Sequence, residues 1–453
     1  MKKIFCVWMV FVLAFAMIST APLAAEAAMY TPEEPIYAES YMLINLADNA
    51  HPVVAEKNST ERLYPASLTK IVTAMVVLEN VNDLNQTAVM SQAAFDESVG
   101  RGAQVAGIAV GEGNTIDELL QLTLVYSACD ACEVLAEFAG GTHENFVAMM
   151  NNWAQSVGCT DTHFANPSGL HEDNHYSTAA DMAKITLAAL NNDNFVRYAT
   201  ALKCNYHGST FYNTNFMLNP NLGAYYYEWA RGIKTGSTSE AGTCVITEAT
   251  KDDQSYLAIV MKSPQQVNYQ GQTLKGSFVD AKNLFNWTFT NLHYQTILSP
   301  NEIISEIAVR NARKVQSVPL MAESEIKTTV PADFDKSALT IRLPDEGYTA
   351  EAPLKAGEHI LTAEIVYQGQ VLTSVDLAAA QDVKLSIMKK AGNILKTFFS
   401  FTAVKIILAV MLIFFIICII LRRRKIKKLK ARRAMAQERK MYFSNDDWTN
   451  YNG

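Results

Sequence analysis

The chain is poor in cysteine and in charged residues. Only 7 of its 453 residues are cysteine, and 18% are charged against 49% hydrophobic, a composition that excludes a disordered or fibrous protein. Cys6 and Cys418 fall in apolar runs at the two ends, which leaves five. An odd number scattered over a long segment is no disulfide framework, although one pair could form and the sequence does not say which. The five are Cys129, Cys132, Cys159, Cys204 and Cys244.

The sequence also lacks an H-E-x-x-H motif, an internal repeat and a low-complexity tract. His163, His171 and His175 are clustered, but no carboxylate follows at metal-ligand spacing. We therefore predict no metal and no cofactor, and interpret these histidines as surface or loop residues.

Positive charge is scarce outside the C-terminus. Residues 422–453 hold 11 Lys/Arg and 3 Asp/Glu, a net charge of +8. With Lys2 and Lys3 also set aside, the body of the chain carries a net charge of −17. An acidic body argues against nucleic acid as the main partner of the folded part.

The N-terminus has the pattern of a secretory signal. Lys2 and Lys3 precede the apolar run 4–17, and Ala25-Glu26-Ala27 offers a small-residue cleavage site. We predict a signal peptide over residues 1–27. The alternative interpretation is a retained membrane anchor.

The C-terminal apolar run predicts a transmembrane helix over 398–421, since its 24 residues are enough to cross a bilayer. Lys405 lies early in this span and could snorkel to the interface. The basic residues from Arg422 onward predict, by the positive-inside rule, that the tail 422–453 is cytoplasmic. The signal peptide and the C-terminal span together predict a single-pass protein of the cytoplasmic membrane, whose main part lies on the outer side.

The length predicts more than one folded unit. Short alternating apolar stretches over 37–60 indicate a hairpin, and residues 67–78 indicate a buried helix. Strand patterns return after residue 230, and residues 280–291 indicate a closing helix. Residues 300–385, rich in Val, Ile and Thr and punctuated by proline, predict a small all-β domain.

Three short motifs carry the chemistry. In Ser67-Leu68-Thr69-Lys70, positions i and i+3 project on one side of a helix, so that Lys70 can reach the Ser67 hydroxyl. A serine hydroxyl needs an adjacent base, and a lysine amine can serve where burial and nearby positive charge favour its uncharged form. The other motifs are Ser127-Ala128-Cys129 and Lys234-Thr235-Gly236.

Together these motifs resemble the active-site signature of serine penicillin-binding proteins and related β-lactamases. The flanking segments 64–74, 166–170, 177–182 and 232–242 are similar to those of the low-molecular-mass D-alanyl-D-alanine carboxypeptidases. The resemblance covers residues 36–293 as the peptidase domain. It implies an α+β, three-layer fold, in which an antiparallel sheet carries Lys234–Gly236 and an all-helical subdomain carries Ser127.

The resemblance also implies a role for each motif residue. Ser67 would form an acyl-enzyme with Lys70 as its base, and Ser127 would relay a proton to the leaving amine. Lys234 and Thr235 would bind the substrate's terminal carboxylate. The backbone amides of Ser67 and Ser237 would form the oxyanion hole. The implied partners are stem peptides ending in D-Ala-D-Ala and β-lactams as covalent inhibitors.

The chain departs from the family pattern at two positions. Cys129 stands where the second motif normally ends in asparagine, and a thiol is a weaker hydrogen-bonding group than an amide. Ser277 stands where many members have an arginine, which would clamp a carboxylate. Cys129 and Cys132 also form a C-x-x-C pair, for which a redox or metal role is the alternative to a structural one.

The sequence therefore predicts a serine D-alanyl-D-alanine carboxypeptidase of cell-wall maturation, which trims peptidoglycan pentapeptide stems. The alternative is a catalytically weakened penicillin-binding protein that acts as a wall or β-lactam binding and sensing module. A β-lactamase is a third interpretation, for which the sequence offers no assignable deacylating carboxylate.

Overall fold

The computed structural model describes residues 30–48, 52–268, 270–345 and 347–445. The predicted signal peptide and the last eight residues lie outside this part. The described residues divide into two units. The first comprises those up to residue 302 together with 322–345 and 361–377, and the second comprises 303–321, 347–360 and those from 378 onward.

The first unit is built on a five-stranded antiparallel sheet. Its strands are β1 (Ser40–Asn45), β2 (Val53–Lys57), β7 (Ala230–Thr238), β8 (Gly242–Lys251) and β9 (Gln254–Ser263). Their order in the sheet is β2-β1-β9-β8-β7. The first and last of these strands in chain order, β1 and β9, are therefore neighbours, and Leu43 is paired with Ala258.

Short strands and helices fill the long connection between β2 and β7. The strands form antiparallel pairs: β3 (Thr87–Val89) with β4 (Gly113–Thr115), and β5 (Lys203–Tyr206) with β6 (Ser209–Tyr212). The helices are α1 (Lys70–Asn80), α2 (Gln92–Ser98), α3 (Ile116–Gln121), α4 (Cys129–Gly140), α5 (His143–Ser156), α6 (Ala179–Ala189) and α7 (Asp193–Ala199). The predicted helix over 67–78 is thus present, with its first turn, Ala66–Thr69, a 3₁₀ turn.

Apolar residues bury both faces of the sheet, because successive strand side chains point to opposite sides. On one face Ile259 and Met261 pack in the cluster that includes Ile71 of α1. On the other face Val260 packs in the cluster of α8 (Gly276–Asn291), the predicted closing helix. Helices on both faces of an antiparallel sheet form a three-layer α+β fold, and this prediction is confirmed.

The segment after α8 is all-β. Small two-residue strands β10 (Gln266–Val267) and β11 (Thr273–Leu274) precede that helix. The strands that follow it are β12 (Leu292–Leu298), β13 (Ile303–Arg310), β14 (Ser317–Ala322), β15 (Ile326–Pro331), β16 (Leu339–Arg342), β17 (Thr349–Glu351), β18 (His359–Tyr367) and β19 (Gln370–Ala379). In the first unit β12 pairs with β15 and β16 with β18, and in the second β13 pairs with β14 and β17.

Two helices close the described chain, α9 (Ile387–Ser400) and α10 (Thr402–Asn445). The apolar part of α10 has a mean hydropathy of 3.3 and is fully exposed, so its length and composition suit a membrane span. The helix begins at Thr402, whereas our predicted span starts at residue 398. Phe398 lies instead in the last turn of α9, and the extended backbone of Phe401 separates the two helices.

Candidate active site

Ser67 and Lys70 meet at the start of α1. The 3₁₀ turn Ala66–Thr69 places Lys70 one turn after Ser67, and Lys70 Nζ lies 2.9 Å from Ser67 Oγ. Lys70 is fully buried, whereas Ser67 is partly exposed and open to a substrate. The contact predicted from the i, i+3 spacing is therefore present in the structure.

Two further groups surround the Lys70 amine. Its Nζ lies 2.6 Å from the carbonyl oxygen of Ser168 and 3.4 Å from Cys129 Sγ. An uncharged amine has two N–H groups and one lone pair. The carbonyl can only accept, so Ser168 and Cys129 suit the two N–H groups and leave the lone pair for the Ser67 hydroxyl. This arrangement fits a general base.

A tight turn holds the Ser168 carbonyl in place. Asn166 Oδ1 accepts hydrogen bonds from the backbone N–H groups of Ser168, Gly169 and Leu170 at 3.2, 2.8 and 3.1 Å. Thr73 of α1 donates to the carbonyl of Pro167 at 2.6 Å. Sequence reasoning assigned the segment 166–170 no role, but in the structure its Ser168 carbonyl contacts the Lys70 amine directly.

Ser127 lies between two helical segments in a left-handed conformation, with φ +68°. It follows the helical turn Leu122–Tyr126 and precedes α4. Lys234 Nζ donates to Ser127 Oγ at 2.9 Å and to the Thr235 carbonyl at 3.0 Å. The second and third motifs are thus joined by a direct hydrogen bond.

The amine of Lys234 is in an unusual environment. Lys234 is 1% exposed, and burial, followed by the nearby charge of Lys70, lowers its pKa well below the ordinary lysine value. A negatively charged group bound beside Lys234 would oppose this effect and favour the charged form of its amine.

Thr235 lies on β7, the edge strand of the sheet, and is partly exposed. Its hydroxyl donates to Thr214 Oγ1 at 2.7 Å, and Thr214 is in turn held by a bond from its N–H to the Val125 carbonyl. Next along the strand, a Cβ at Gly236 would lie 2.8 Å from the Pro65 carbonyl oxygen. Only glycine lets the strand approach the turn that carries Ser67 so closely.

Sequence reasoning missed Asp130, which orders the segment facing α4. Its carboxylate accepts backbone N–H groups of Ala106, Gly107 and Ile108 at 3.0, 2.9 and 3.0 Å. The carbonyl of Gln104 accepts the N–H of Cys129 at 2.8 Å. The only signal in the sequence was an acidic residue directly after the second motif, within a mostly apolar stretch.

Cys129 and Cys132 of the C-x-x-C pair are not joined by a disulfide, and their side chains have different partners. Cys129 lies beside Lys70, whereas Cys132 donates to the Ala128 carbonyl at 3.1 Å. Burial raises the pKa of Cys132 to about 12, which keeps it a thiol. Cys159, Cys204 and Cys244 are also free and buried. In the described residues, no grouping of three or more His, Cys, Asp or Glu side chains is placed to hold a metal ion.

We predicted that the clustered histidines are surface or loop residues. His175 does lie in a loop, but it is buried and not at the surface. Its side chain is 2% exposed, and its ring packs edge-on against Phe164 with centroids 5.5 Å apart. His163 and His171 are partly exposed loop residues. The segment around His175 is polar and irregular, so nothing local signals burial; the ring is covered by residues far away in sequence.

Ser277 is buried in the first turn of α8 and offers no carboxylate clamp. It is 1% exposed, and its N–H donates to Thr243 Oγ1 at 3.1 Å. At the position where many family members have an arginine, this chain thus has a buried serine that contacts Thr243 of β8.

The chain belongs to the D-alanyl-D-alanine carboxypeptidase family, whose model matches residues 26–265. A second model, for the C-terminal domain of penicillin-binding protein 5, matches residues 293–385. These matches confirm the family resemblance and the fold class that we inferred from the motifs.

Two curated relatives show the extent of the similarity. The chain is 28% identical over 346 residues to D-alanyl-D-alanine carboxypeptidase DacF of Bacillus subtilis, covering 76% of this chain and 84% of that protein. It is 27% identical over 357 residues to D-alanyl-D-alanine carboxypeptidase DacA of Escherichia coli, covering 77% and 84%.

Solved structures agree. Penicillin binding protein 5 of Haemophilus influenzae superposes with a TM-score of 0.59 at 27% identity, over 78% of this chain and 99% of that one. The Streptomyces K15 DD-transpeptidase superposes with a TM-score of 0.51 at 28% identity, over 58% and 100%. Solved variants of that transpeptidase are substituted at a serine and at a cysteine two positions further on, the spacing of Ser127 and Cys129.

Proposed function

We propose that this protein is a serine D-alanyl-D-alanine carboxypeptidase that removes the terminal D-alanine from peptidoglycan pentapeptide stems. The single observation that carries the proposal is the buried amine of Lys70, 2.9 Å from the partly exposed hydroxyl of Ser67. Membership of the family and the names of the relatives support the substrate class.

Acylation begins with proton transfer from Ser67 Oγ to the uncharged Lys70 amine, as Oγ attacks the carbonyl carbon between the two D-alanines. The negative oxygen that develops is stabilised by the N–H groups of Ser67 and Ser237, each worth about 3–4 kcal/mol. The C–N bond then breaks. Ser127 Oγ passes its proton to the departing D-alanine amine and takes a replacement proton from the lysines.

Substrate binding uses the third motif. When the substrate binds, the Thr235 hydroxyl turns from Thr214 and donates instead to the terminal carboxylate of the peptide, which brings negative charge near Lys234. An opposite charge favours the protonated amine, so binding raises the low pKa of Lys234 toward its usual value. The bond from Lys234 to Ser127 couples carboxylate recognition to the proton relay.

Deacylation restores the enzyme. Water attacks the ester carbonyl, Lys70 takes its proton, and the shortened peptide leaves with a free carboxylate while Ser67 Oγ regains its hydrogen. A β-lactam presents a strained amide in the position of the D-Ala-D-Ala bond, and the same attack opens its ring. The resulting ester on Ser67 accounts for inhibition by β-lactams.

Cys129 takes part in this scheme as a weak partner of Lys70. Its Sγ lies within contact distance of Nζ, where the family's asparagine would place an amide. The comparisons support a carboxypeptidase, and none favours the weakened sensing module that we considered from the sequence.

The test uses the full chain solubilised in detergent. A fluorescent penicillin should label the wild type, and a peptide ending in D-Ala-D-Ala should release free D-alanine. Ser67→Ala should abolish both, whereas Ser239→Ala, an exposed serine beyond the third motif, should retain both. Equal labelling of wild type and Ser67→Ala would refute the proposal.

The apolar helix α10 suggests membrane anchoring. The proposed topology places the catalytic unit outside and the basic part of α10 in the cytoplasm, since 11 Lys/Arg follow the span. Protease added to intact spheroplasts should digest the catalytic unit and spare an epitope fused after residue 453. Loss of the epitope in intact cells would reverse the orientation.

A further inference from the structure

The peptide unit between Ala66 and Ser67 has both of its polar groups in the active site. Its N–H belongs to Ser67 and is one of the two proposed oxyanion-hole donors. Its carbonyl belongs to Ala66 and accepts a hydrogen bond from Thr69 Oγ1 at 2.8 Å. Ala66 is 2% exposed and adopts φ +49°, a conformation that costs a residue with a Cβ. Something must therefore hold this peptide in its orientation.

The Thr69 hydroxyl is itself held by a buried histidine. His175 Nε2 lies 2.8 Å from Thr69 Oγ1, across 106 positions of sequence. On the opposite side of the ring, Nδ1 accepts the backbone N–H of Ala165 at 3.1 Å. A backbone N–H can only donate, so Nδ1 carries no proton, and the neutral ring has its proton on Nε2. The histidine consequently donates to the threonine.

These contacts form a chain with one direction: Ala165 N–H to His175, His175 to Thr69, and Thr69 to the Ala66 carbonyl. The His175 ring and the Thr69 hydroxyl each accept one hydrogen bond and donate the next. In the interior of a protein, where water is excluded, such successive hydrogen bonds strengthen one another. A peptide whose carbonyl is hydrogen-bonded is a better donor at its N–H. The last donor in this chain is the N–H of Ser67.

We propose that His175 and Thr69 are positioning residues that fix and polarise the Ala66–Ser67 peptide, so that the Ser67 N–H binds the oxyanion of the tetrahedral intermediate. The inference rests on the proposed function and adds to it two residues to which the motifs gave no role: Thr69, inside the first motif, and His175, outside all three. Neither side chain touches the reacting atoms; both act through the peptide.

Gly169 provides an independent observation about the same peptide. It adopts φ +81°, and a Cβ there would lie 2.0 Å from the Ala66 carbonyl oxygen and 3.0 Å from Ser67 N. The Ala66 carbonyl is thus enclosed on one side by the Gly169 backbone and bonded on another by Thr69. With the Thr69 hydroxyl in place, the carbonyl is held in one orientation. Without that hydroxyl, only the Gly169 side is enclosed, and the peptide can tilt.

The key variant is Thr69→Val, which keeps the shape of the side chain and removes its hydroxyl. We expect the rate of acylation by benzylpenicillin to fall about tenfold, corresponding to one lost hydrogen bond. The KM for the D-Ala-D-Ala peptide should change little, because the oxyanion develops only after binding. The matched variant Thr69→Ser keeps the hydroxyl and should restore the wild-type rate.

A tetrahedral mimic separates this role from general destabilisation. A boronic acid analogue of the peptide forms an anionic adduct on serine whose oxygen occupies the oxyanion hole. Its affinity should fall in Thr69→Val by the same factor as the acylation rate. His175→Asn retains an acceptor for Ala165 but cannot reach Thr69, and the double variant should lose no more than either single variant, since the two residues form one chain.

The possible results distinguish failure of the positioning role from failure of the proposed function. If Thr69→Val acylates and binds the boronate like wild type while Ser67→Ala is unlabelled, the positioning role is refuted and the proposed function stands. A fall in both quantities, reversed by serine, supports it. Additive losses in the double variant would also overturn the single chain. Wild-type labelling of Ser67→Ala would instead refute the proposed function itself.

Discussion

Lys234 Nζ lies 2.9 Å from Ser127 Oγ, although 107 positions separate the two residues in sequence. In the mechanism that we propose, this bond would link the strand that binds the substrate carboxylate to the hydroxyl that protonates the leaving group. Recognition of the C-terminal D-alanine and its departure would then depend on the same buried amine.

The first prediction concerns this amine. Lys234→Met removes the donor to Ser127 and the partner of the substrate carboxylate while keeping an apolar stem. Loss of a hydrogen bond to a charged group costs about 1.5–3 kcal/mol, so D-alanine release should fall about tenfold to a hundredfold. Steady-state kinetics with a D-Ala-D-Ala peptide measure it.

Arg231 supplies the control for Lys234. It lies on the same strand, is exposed, and faces Glu248 at 3.9 Å. Arg231→Met should keep wild-type release. If both variants behaved alike, the buried bond to Ser127 would have no special role.

A second prediction concerns Cys129. Cys129→Ala deletes the weak contact to Lys70 and should lower D-alanine release about threefold to tenfold. Cys129→Asn places an amide, a stronger acceptor, near the same amine and should raise release above wild type. Rates that stayed at the wild-type level in both variants would show that the thiol contact has no bearing on catalysis.

Part of this site could be predicted from the sequence and part could not. The Ser67–Lys70 contact follows from helical spacing, and strand patterns in the sequence after residue 230 indicated the strands Ala230–Thr238 and Gln254–Ser263. The burial of His175 could not be foreseen, because a polar loop becomes interior only when distant elements cover it. The break at Phe401 was missed for a similar reason: apolar composition continues through it, and only the backbone changes.

A third prediction is a matched pair of glycine substitutions. Gly169 and Gly158 both have a left-handed φ, of +81° and +87°. An alanine at 158 meets no atom within 4 Å and costs only the conformation, about 1 kcal/mol. An alanine at 169 would also collide with the Ala66 carbonyl.

Gly169→Ala should therefore abolish penicillin labelling, whereas Gly158→Ala should label like wild type. Labelling kinetics at a temperature where both variants remain folded by circular dichroism distinguish the two. Retention of normal labelling in Gly169→Ala would contradict the close approach of the 166–170 turn to the nucleophile.

A fourth prediction concerns pH and stability. Burial, followed by the charges of His163, Lys70 and His171, lowers the pKa of His175 from 6.5 to about 3. Between about pH 3 and pH 6.5 the His175 ring therefore binds a proton in the unfolded chain but not in the folded chain. The free energy of unfolding should therefore be highest above pH 6.5 and fall on acidification, by about 1.4 kcal/mol per pH unit from this group.

Thermal unfolding of the full chain at pH 7 and pH 5 checks the sign. His175→Asn removes the titrating ring, so the variant should lose less stability on acidification than wild type. His293, an exposed histidine of β12, supplies the control, and His293→Asn should keep the wild-type loss. An equal pH-dependent loss in wild type and His175→Asn would argue against a neutral buried ring.

The central claim is that the Ser67 hydroxyl is made nucleophilic by the Lys70 amine. Mass spectrometry of the full chain after treatment with benzylpenicillin tests it most directly. The account predicts one added penicilloyl group, located by peptide mapping on Ser67, and no adduct in Lys70→Met. An adduct on another residue, or undiminished acylation of Ser67 without the lysine, would contradict the account.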